Sequence, residues 1–306
     1  GLDLLADTGV SVPTWCTERA ADLAVLDDAD GPLPDAVPDD RCGVLIFTSG
    51  TTSAPKAAIR SHGALGGFGT RLAAQWEVTA DDVAYNCMPW FHSNALYHAV
   101  YPTLATGGTL ALRRRFSASG FLDDVRRFGA TRFNYVGKVL EYVLATPPSP
   151  VDADNVLRIA TGSEASDRDI AAFGARFGVR VIDGFGSTEA GVGIQRTPDM
   201  PAGALGRAAD HSTVVIDPAT GEECPRARFD ERGRLLNADA AIGELVSKVG
   251  LAAFEGYYNN DDANAERSRN GWYWSGDLGY RDVDGFFYFA GRGDDWLRVD
   301  GENFSA

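Results

Sequence analysis

The chain has 306 residues, enough for about two domains of roughly 150 residues each, and 44% of them are hydrophobic, as in a folded globular protein. With 28 Lys+Arg against 43 Asp+Glu the formal net charge is −15, which argues against a partner bound through clustered cations, so no nucleic acid is expected. No stretch approaches the ~20 uninterrupted apolar residues of a transmembrane segment, and Cys16, Cys42, Cys87 and Cys224 form no CxxC pair, which fits reduced thiols in the cytoplasm.

Residues 1–41 read as a linker and the remnant of a preceding subdomain, with the acidic, Pro-rich stretch from Asp27 to Asp40 as the flexible part. From Cys42 to Asp183 short β-rich runs alternate with amphipathic helical stretches, a pattern that predicts an α/β fold with a parallel sheet flanked by helices. Gly43 to Phe47 is an apolar run. Ser61 is the expected N-cap of a helix whose Leu65, Phe68, Leu72 and Trp76 keep helical spacing. Thr109 to Leu112 reads as a strand, followed by a helix that Ser117 caps and Gly129 ends. Arg132 to Val136, Leu157 to Thr161 and Val179 to Asp183 read as further buried strands, with helices from about Val139 and from Ser166. Ser166 and Asp169 make an [ST]-x-x-[DE] capping signal. After Gly206 short strands alternate with Gly, Pro and Asp turns (Thr213 to Ile216, Gly243 to Val246, Phe286 to Ala290), so a smaller β-rich subdomain is expected over 202–292, after an α/β subdomain over 42–201.

Phe47-Thr48-Ser49-Gly50-Thr51-Thr52-Ser53-Ala54-Pro55-Lys56 carries the strongest chemical signal. Small hydroxyl residues around Gly50 can turn backbone N–H and side-chain O–H donors onto one anion, and Lys56 adds a positive charge for phosphate oxygens. The spacing is not that of a Walker loop, because Pro55 precedes Lys56 and Ala57 follows it. Alone, such a segment reads more readily as a mobile Ser/Thr turn with an exposed lysine.

Further segments follow in order: Met88-Pro89-Trp90-Phe91-His92-Ser93-Asn94, Asp183-Gly184-Phe185-Gly186-Ser187-Thr188-Glu189, Trp272-Tyr273-Trp274-Ser275-Gly276-Asp277-Leu278, and Gly291-Arg292-Gly293-Asp294-Asp295 running into Gly301-Glu302-Asn303. Together with the Thr48–Lys56 loop they resemble the signatures of the adenylate-forming superfamily, which includes acyl-CoA synthetases, luciferases and peptide-synthetase adenylation domains. Asn134 to Gly137 and Trp296 to Asn303 are most similar to the fatty acid transport protein branch. The chain departs from the family at Ser53, where Gly is usual, and at Phe185, where Tyr is commoner.

The resemblance implies an ATP-dependent ligase that activates a fatty or other apolar carboxylic acid as acyl-AMP and passes it to coenzyme A. Thr48, Ser49, Gly50, Thr51 and Thr52 with Lys56 would hold phosphate. Glu189 would carry Mg²⁺, with Thr188 on phosphate. Phe185 would stack on adenine within Asp183 to Ser187, with Gly184 and Gly186 beside it, and Gly162, Ser163 and Glu164 would pass the other side of the ring. Asp277 would accept the ribose hydroxyls, Arg292 would contact ribose or phosphate, and His92 would gate the acyl tunnel or orient the carboxylate. Asp294 would be the hinge of a C-terminal domain of which 293–306 is the start. The chain therefore reads as a fragment of a longer protein, expected to be nearly inactive alone. Two other functions stay open: loading an acyl carrier protein, and a non-catalytic nucleotide-binding module. A cytoplasmic location follows, with a peripheral membrane association left open.

Overall fold

An apolar run and an alanine-rich run make the first hairpin. In the computed structural model, which describes residues 36–48, 55–209 and 211–292 and the strands at 296–299 and 302–305, β1 (Cys42–Thr48) pairs antiparallel with β2 (Lys56–Ser61), Thr48 opposite Lys56. The hairpin thus stands apart from the parallel sheet that the alternation predicts from Cys42 onward. The reason is loop length: parallel neighbours need a crossover of a dozen or more residues, and β1 and β2 are separated by far fewer. Ala57 and Ala58 are buried, and Ala58 bridges to Tyr257.

Helix α1 (His62–Gln75) starts where the sequence places its cap, with Ser61 Oγ accepting from the Ala64 N–H at 3.1 Å. It buries Leu65, Leu72 and Ala73. Beside it runs a helical stretch with no sequence signal of its own: α2 (Ser93–Ala95), a π-helical turn over Leu96–Val100, and α3 (Tyr101–Thr106). π turns of this kind are uncommon and concentrate at functional sites.

Among the described residues the larger sheet has seven strands in the order β4-β3-β5-β6-β7-β8-β9. β3 (Val83–Asn86), β4 (Thr109–Leu112), β5 (Arg132–Val136), β6 (Ile159–Ser163) and β7 (Arg180–Gly186) are mutually parallel. β8 (Gly193–Gln195) and β9 (Arg207–Ala208) continue it antiparallel. Helices α4 (Phe121–Phe128), α5 (Val139–Leu144) and α6 (Asp167–Phe177) cover one face. There Phe121, Phe133, Tyr135, Phe173 and Phe177 form a buried aromatic cluster, each side chain contributing about 1.5–3 kcal/mol by leaving water.

Gly129 ends α4 in the left-handed conformation, φ 60°. The N-cap position, however, is Gly120 rather than Ser117, whose Oγ accepts from the Gly120 N–H at 3.2 Å one turn earlier. Ser166 caps α6 as expected, accepting from the Asp169 N–H at 3.1 Å while its hydroxyl donates to Asp169 Oδ2 at 2.7 Å.

The second sheet is antiparallel: β10 (Thr213–Ile216), β11 (Gly243–Ser247), β13 (Trp272–Arg281) and β12 (Ser268–Arg269), with β14 (Phe287–Arg292) on the other side of β13. Two short helices accompany it, α7 (Ala238–Ala241) and α8 (Asp261–Arg267). β15 (Trp296–Val299) and β16 (Glu302–Ser305) form a separate hairpin. Among the described residues, no helix is long and apolar enough to cross a membrane.

Candidate active site

Parallel strands present their carboxyl ends on one side, where open α/β sheets bind ligands. Here β5, β6 and β7 bring Val136, Ser163-Glu164 and Asp183 to Glu189 to the same side, and a cleft of 1640 Å³ opens against them. Thr48, Lys56, His92, Ser163, Glu164, Asp183, Gly184, Phe185, Gly186, Ser187, Thr188, Glu189 and Asp277 all line it. Ser49, Gly50, Thr51, Thr52 and Asp294 lie outside the described residues.

Two further predicted residues are located by their backbones. Gly162 is not in its wall; a Cβ there would come within 2.3 Å of the Tyr135 carbonyl oxygen, so glycine lets β6 lie close to β5. Arg292 is paired in register with Asp277 across β13 and β14, which puts its backbone beside the cleft.

The turn from β7 to β8 carries Thr188 and Glu189. Because β8 returns antiparallel, Phe185 opposite Ile194, these residues stand at the tip of a hairpin. It is anchored from both sides. The Thr188 hydroxyl donates to Ser93 Oγ at 3.0 Å, and the Thr188 carbonyl accepts from Tyr97 Oη at 2.8 Å. On the other side Gly191 meets the Tyr273 ring of β13 so closely that a Cβ would lie 2.2 Å from a ring carbon. The Glu189 carboxylate accepts from Tyr257 Oη at 2.6 Å. Below it the buried Arg60 donates to the Ala253 carbonyl at 2.8 Å and lies 3.6 Å from Glu255.

Asp183 is buried, accepting from Tyr135 Oη at 2.9 Å and the Ala165 N–H at 3.2 Å. Burial nevertheless pushes its carboxyl up to about 6, because these two bonds offset only part of the desolvation. Arg196 lies 3.6 Å from it and also contacts Asp167. Phe185 is half-buried, packed on the second-sheet core and 6.0 Å from the Phe289 ring.

Lys56 is not in the loop but begins β2. Its Nζ lies 3.4 Å from Glu266 Oε2 and 5.7 Å from the centroid of the Tyr257 ring. His92 is exposed, its ring 4.5 Å from Phe91, and makes no capping bond although it precedes α2. Asp277 follows Gly276, whose φ is +78° and whose missing Cβ would sit 2.1 Å from Arg267 Nη1. The Gly276 N–H donates to Glu244 Oε1 at 2.7 Å, and the Asp277 N–H to Ser275 Oγ at 3.1 Å, so the Asp277 backbone is fixed.

Sequence reasoning missed Tyr257, Arg267, Tyr97, Arg60 and Arg196. Ser93 lay within a quoted segment and had a signal. Tyr257 had none, since its partner Glu189 is 68 residues away.

The model of the AMP-binding enzyme family matches residues 4–258. The chain belongs to that family. It is 52% identical over 290 residues to the steroid-22-oyl-CoA synthetase of Rhodococcus jostii, covering 95% of this chain and 52% of that protein. It is likewise 52% identical over 260 residues to the medium/long-chain-fatty-acid–CoA ligase FadD17 of Mycobacterium tuberculosis, covering 85% of this chain and 49% of the relative. The chain thus spans about half the length of these curated relatives. Among solved structures, ATP-bound MatB from Rhodopseudomonas palustris superposes with a TM-score of 0.78 at 26% identity, covering 99% of this chain and 59% of that one. The family's α/β architecture, a parallel sheet flanked by helices with a β-rich region beside it, is therefore the fold of this chain.

Proposed function

We propose that this AMP-binding family chain carries the nucleotide- and acid-binding part of an ATP-dependent acyl-CoA synthetase. Its subdomains are 42–201, which binds nucleotide and acid, and the β-rich 202–292. The acid's carboxylate attacks the α-phosphate of ATP, pyrophosphate leaves, and the acyl group of the resulting acyl-AMP passes to the thiol of coenzyme A with release of AMP.

The observation that carries this reading is the convergence of Ser163-Glu164, Phe185, Thr188-Glu189 and Asp277, from three strands and a hairpin tip, on one cleft. An adenine lies between Phe185 and the Ser163-Glu164 backbone. A carboxylate such as Asp277 accepts from two ribose hydroxyls at once. Thr188 and the Thr48–Lys56 segment offer donors to phosphate oxygens, where negative charge develops. Arg292, whose backbone pairs with Asp277 across the strands, is the residue we assign to ribose or phosphate.

The residues present suit Mg²⁺. Glu189 is a hard oxygen donor with one carboxylate oxygen engaged by Tyr257. Such a site calls for an ion that arrives with substrate phosphates and water. Bound there, Mg²⁺ neutralises phosphate charge; Glu189 holds it in place.

For the acid, Met88, Asn94 and Val136 line the same cleft as His92. The named substrates of the relatives, a steroid-22-oyl group and medium to long fatty acids, support an apolar acid here. The free thiols of Cys42, Cys87 and Cys224 suit a reducing compartment such as the cytoplasm.

The test is acid-dependent exchange of labelled pyrophosphate into ATP by the intact protein, run with apolar acids and followed by CoA or a phosphopantetheinylated carrier protein as acceptor. Exchange with consumption of free CoA is expected. Transfer only to the carrier would make the protein a carrier-loading ligase, and no exchange with any acid would leave a non-catalytic nucleotide module.

A further inference from the structure

The geometry points to Tyr257 as the positioning residue of the Glu189 carboxylate, a role that rests on the nucleotide site proposed above. Tyr257 is only 2% exposed, and its hydroxyl reaches Glu189 Oε1 at 2.6 Å, the short contact of a phenol donating to an ionised carboxylate. What makes this more than an incidental bond is how little freedom the phenol has.

Its backbone is gripped from two elements. The Tyr257 N–H donates to Asn264 Oδ1 at 2.6 Å and its carbonyl accepts from Asn264 Nδ2 at 3.1 Å, a two-point clamp from α8. On the other side the Ile59 N–H donates to the Gly256 carbonyl at 2.9 Å and the Tyr258 N–H to the Ala57 carbonyl at 2.8 Å, fastening the same segment to β2. The ring packs edge-on to Phe254, 5.5 Å between centroids, in a small core with Ala58 and Ala263. The hydroxyl therefore marks a fixed point, and a half-buried carboxylate with several rotamers is held against it.

The hydroxyl also stands between opposite charges. Arg267 lies beside it and also lines the cleft, and Arg267 Nε has no hydrogen-bond partner among the described residues. A guanidinium in direct contact with a carboxylate commonly takes both of its oxygens in a forked pair. With the phenol interposed, one oxygen of Glu189 is taken and the second is left as a donor for a cation that enters with the nucleotide. Lys56, 5.7 Å from the centroid of the same ring and drawn to Glu266, is kept from pairing with Glu189 as well. Tyr257 thus orients the carboxylate without neutralising it, which a basic residue in its place would not do.

The test introduces Tyr257→Phe into the intact protein, keeping the ring and its packing and removing only the hydroxyl. ATP affinity is measured by calorimetry in EDTA and across a Mg²⁺ titration, and the Mg²⁺ concentration for half-maximal pyrophosphate exchange is measured on the same samples. The expected result is an ATP Kd in EDTA within about two-fold of the parent, a Mg²⁺ half-saturation raised about ten-fold, and a correspondingly smaller gain in ATP affinity on adding Mg²⁺; a hydrogen bond to a charged group is worth about that factor. Asn264→Ala, which loosens the clamp and touches neither side chain, is expected to move the same Mg²⁺ dependence in the same direction by less. An unchanged Mg²⁺ dependence in Tyr257→Phe would overturn the assignment, and so would an equal loss of ATP affinity with and without Mg²⁺. Failure of the parent itself to bind ATP more tightly with Mg²⁺ would instead overturn the nucleotide site on which the assignment rests.

Discussion

The Thr188 hydroxyl and Ser93 Oγ, 95 residues apart in the chain, are 3.0 Å apart in the fold. This bond joins the hairpin tip that carries Glu189 to the start of the helical stretch after Met88–His92, so the parts of the cleft assigned to phosphate and to acid share one support. Thr188→Ala removes that link together with the hydroxyl that, turned away from Ser93, would donate to a phosphate oxygen. Its single-turnover adenylation is expected to slow by about ten-fold, while Ser93→Ala, which leaves the Thr188 hydroxyl in place, slows it by no more than a few-fold. Equal losses in the two variants would mean that Thr188 acts only as a brace.

Glu189→Gln keeps shape and removes charge. Since charge on the phosphate oxygens is greatest in the transition state, adenylate formation is expected to fall by about 10²- to 10³-fold while the ATP Kd changes only a few-fold. Single-turnover rates and calorimetric affinities from the same preparation separate the two effects. An unaltered rate would assign the metal to another residue.

Gly276→Ala adds a methyl group where φ is +78° and where the new atom would lie 2.1 Å from Arg267 Nη1. Backbone strain of this kind costs about 1–3 kcal/mol, and the displaced guanidinium adds to it. The expected outcome is an unfolding free energy, read from urea titration, lowered by about that amount, together with weaker nucleotide binding, because Asp277 is the next residue. A variant as stable as the parent would show that Arg267 yields freely.

The buried Asp183 gives a pH signature. Its carboxyl, raised to about 6 from an ordinary value near 3.8, binds its proton more tightly in the folded protein than in the unfolded chain. The stability it contributes is therefore fully present below about pH 3.8 and is lost as pH climbs through 6. Asp183→Asn still accepts from Tyr135 and removes this loss. Relative to the parent it is expected to gain stability progressively from pH 4 to pH 6.5, reaching at most about 3 kcal/mol, as read from urea unfolding at each pH. Parallel stability curves would show that the carboxyl titrates normally.

Much of both sheets was legible because their signals are local. Arg132 to Val136 and Thr213 to Ile216 form strands over the expected residues, and Ser166 and Gly129 mark helix ends by chemistry confined to one turn. The β1–β2 hairpin was not legible. Lys56-Ala-Ala-Ile-Arg-Ser has one β-branched residue, Ile59, and no aromatic, too little to announce a strand, and it is one because its small residues fit beneath Tyr257. Of the site, the signature segments named most of the cleft lining, but the residues that hold those segments are distant in sequence. Tyr257, Arg267 and Arg60 became visible only when the fold brought them to Glu189.

The central claim is that this cleft accommodates an acyl adenylate. A stable mimic of that mixed anhydride, an acyl-sulfamoyl adenosine with an apolar acyl chain, can be titrated calorimetrically into the protein and into Asp277→Asn. Binding is expected at one site, tighter than AMP alone, and weakened about ten-fold or more in the variant, where an amide replaces the carboxylate offered to the ribose hydroxyls. No binding, or equal affinity for parent and variant, would contradict it.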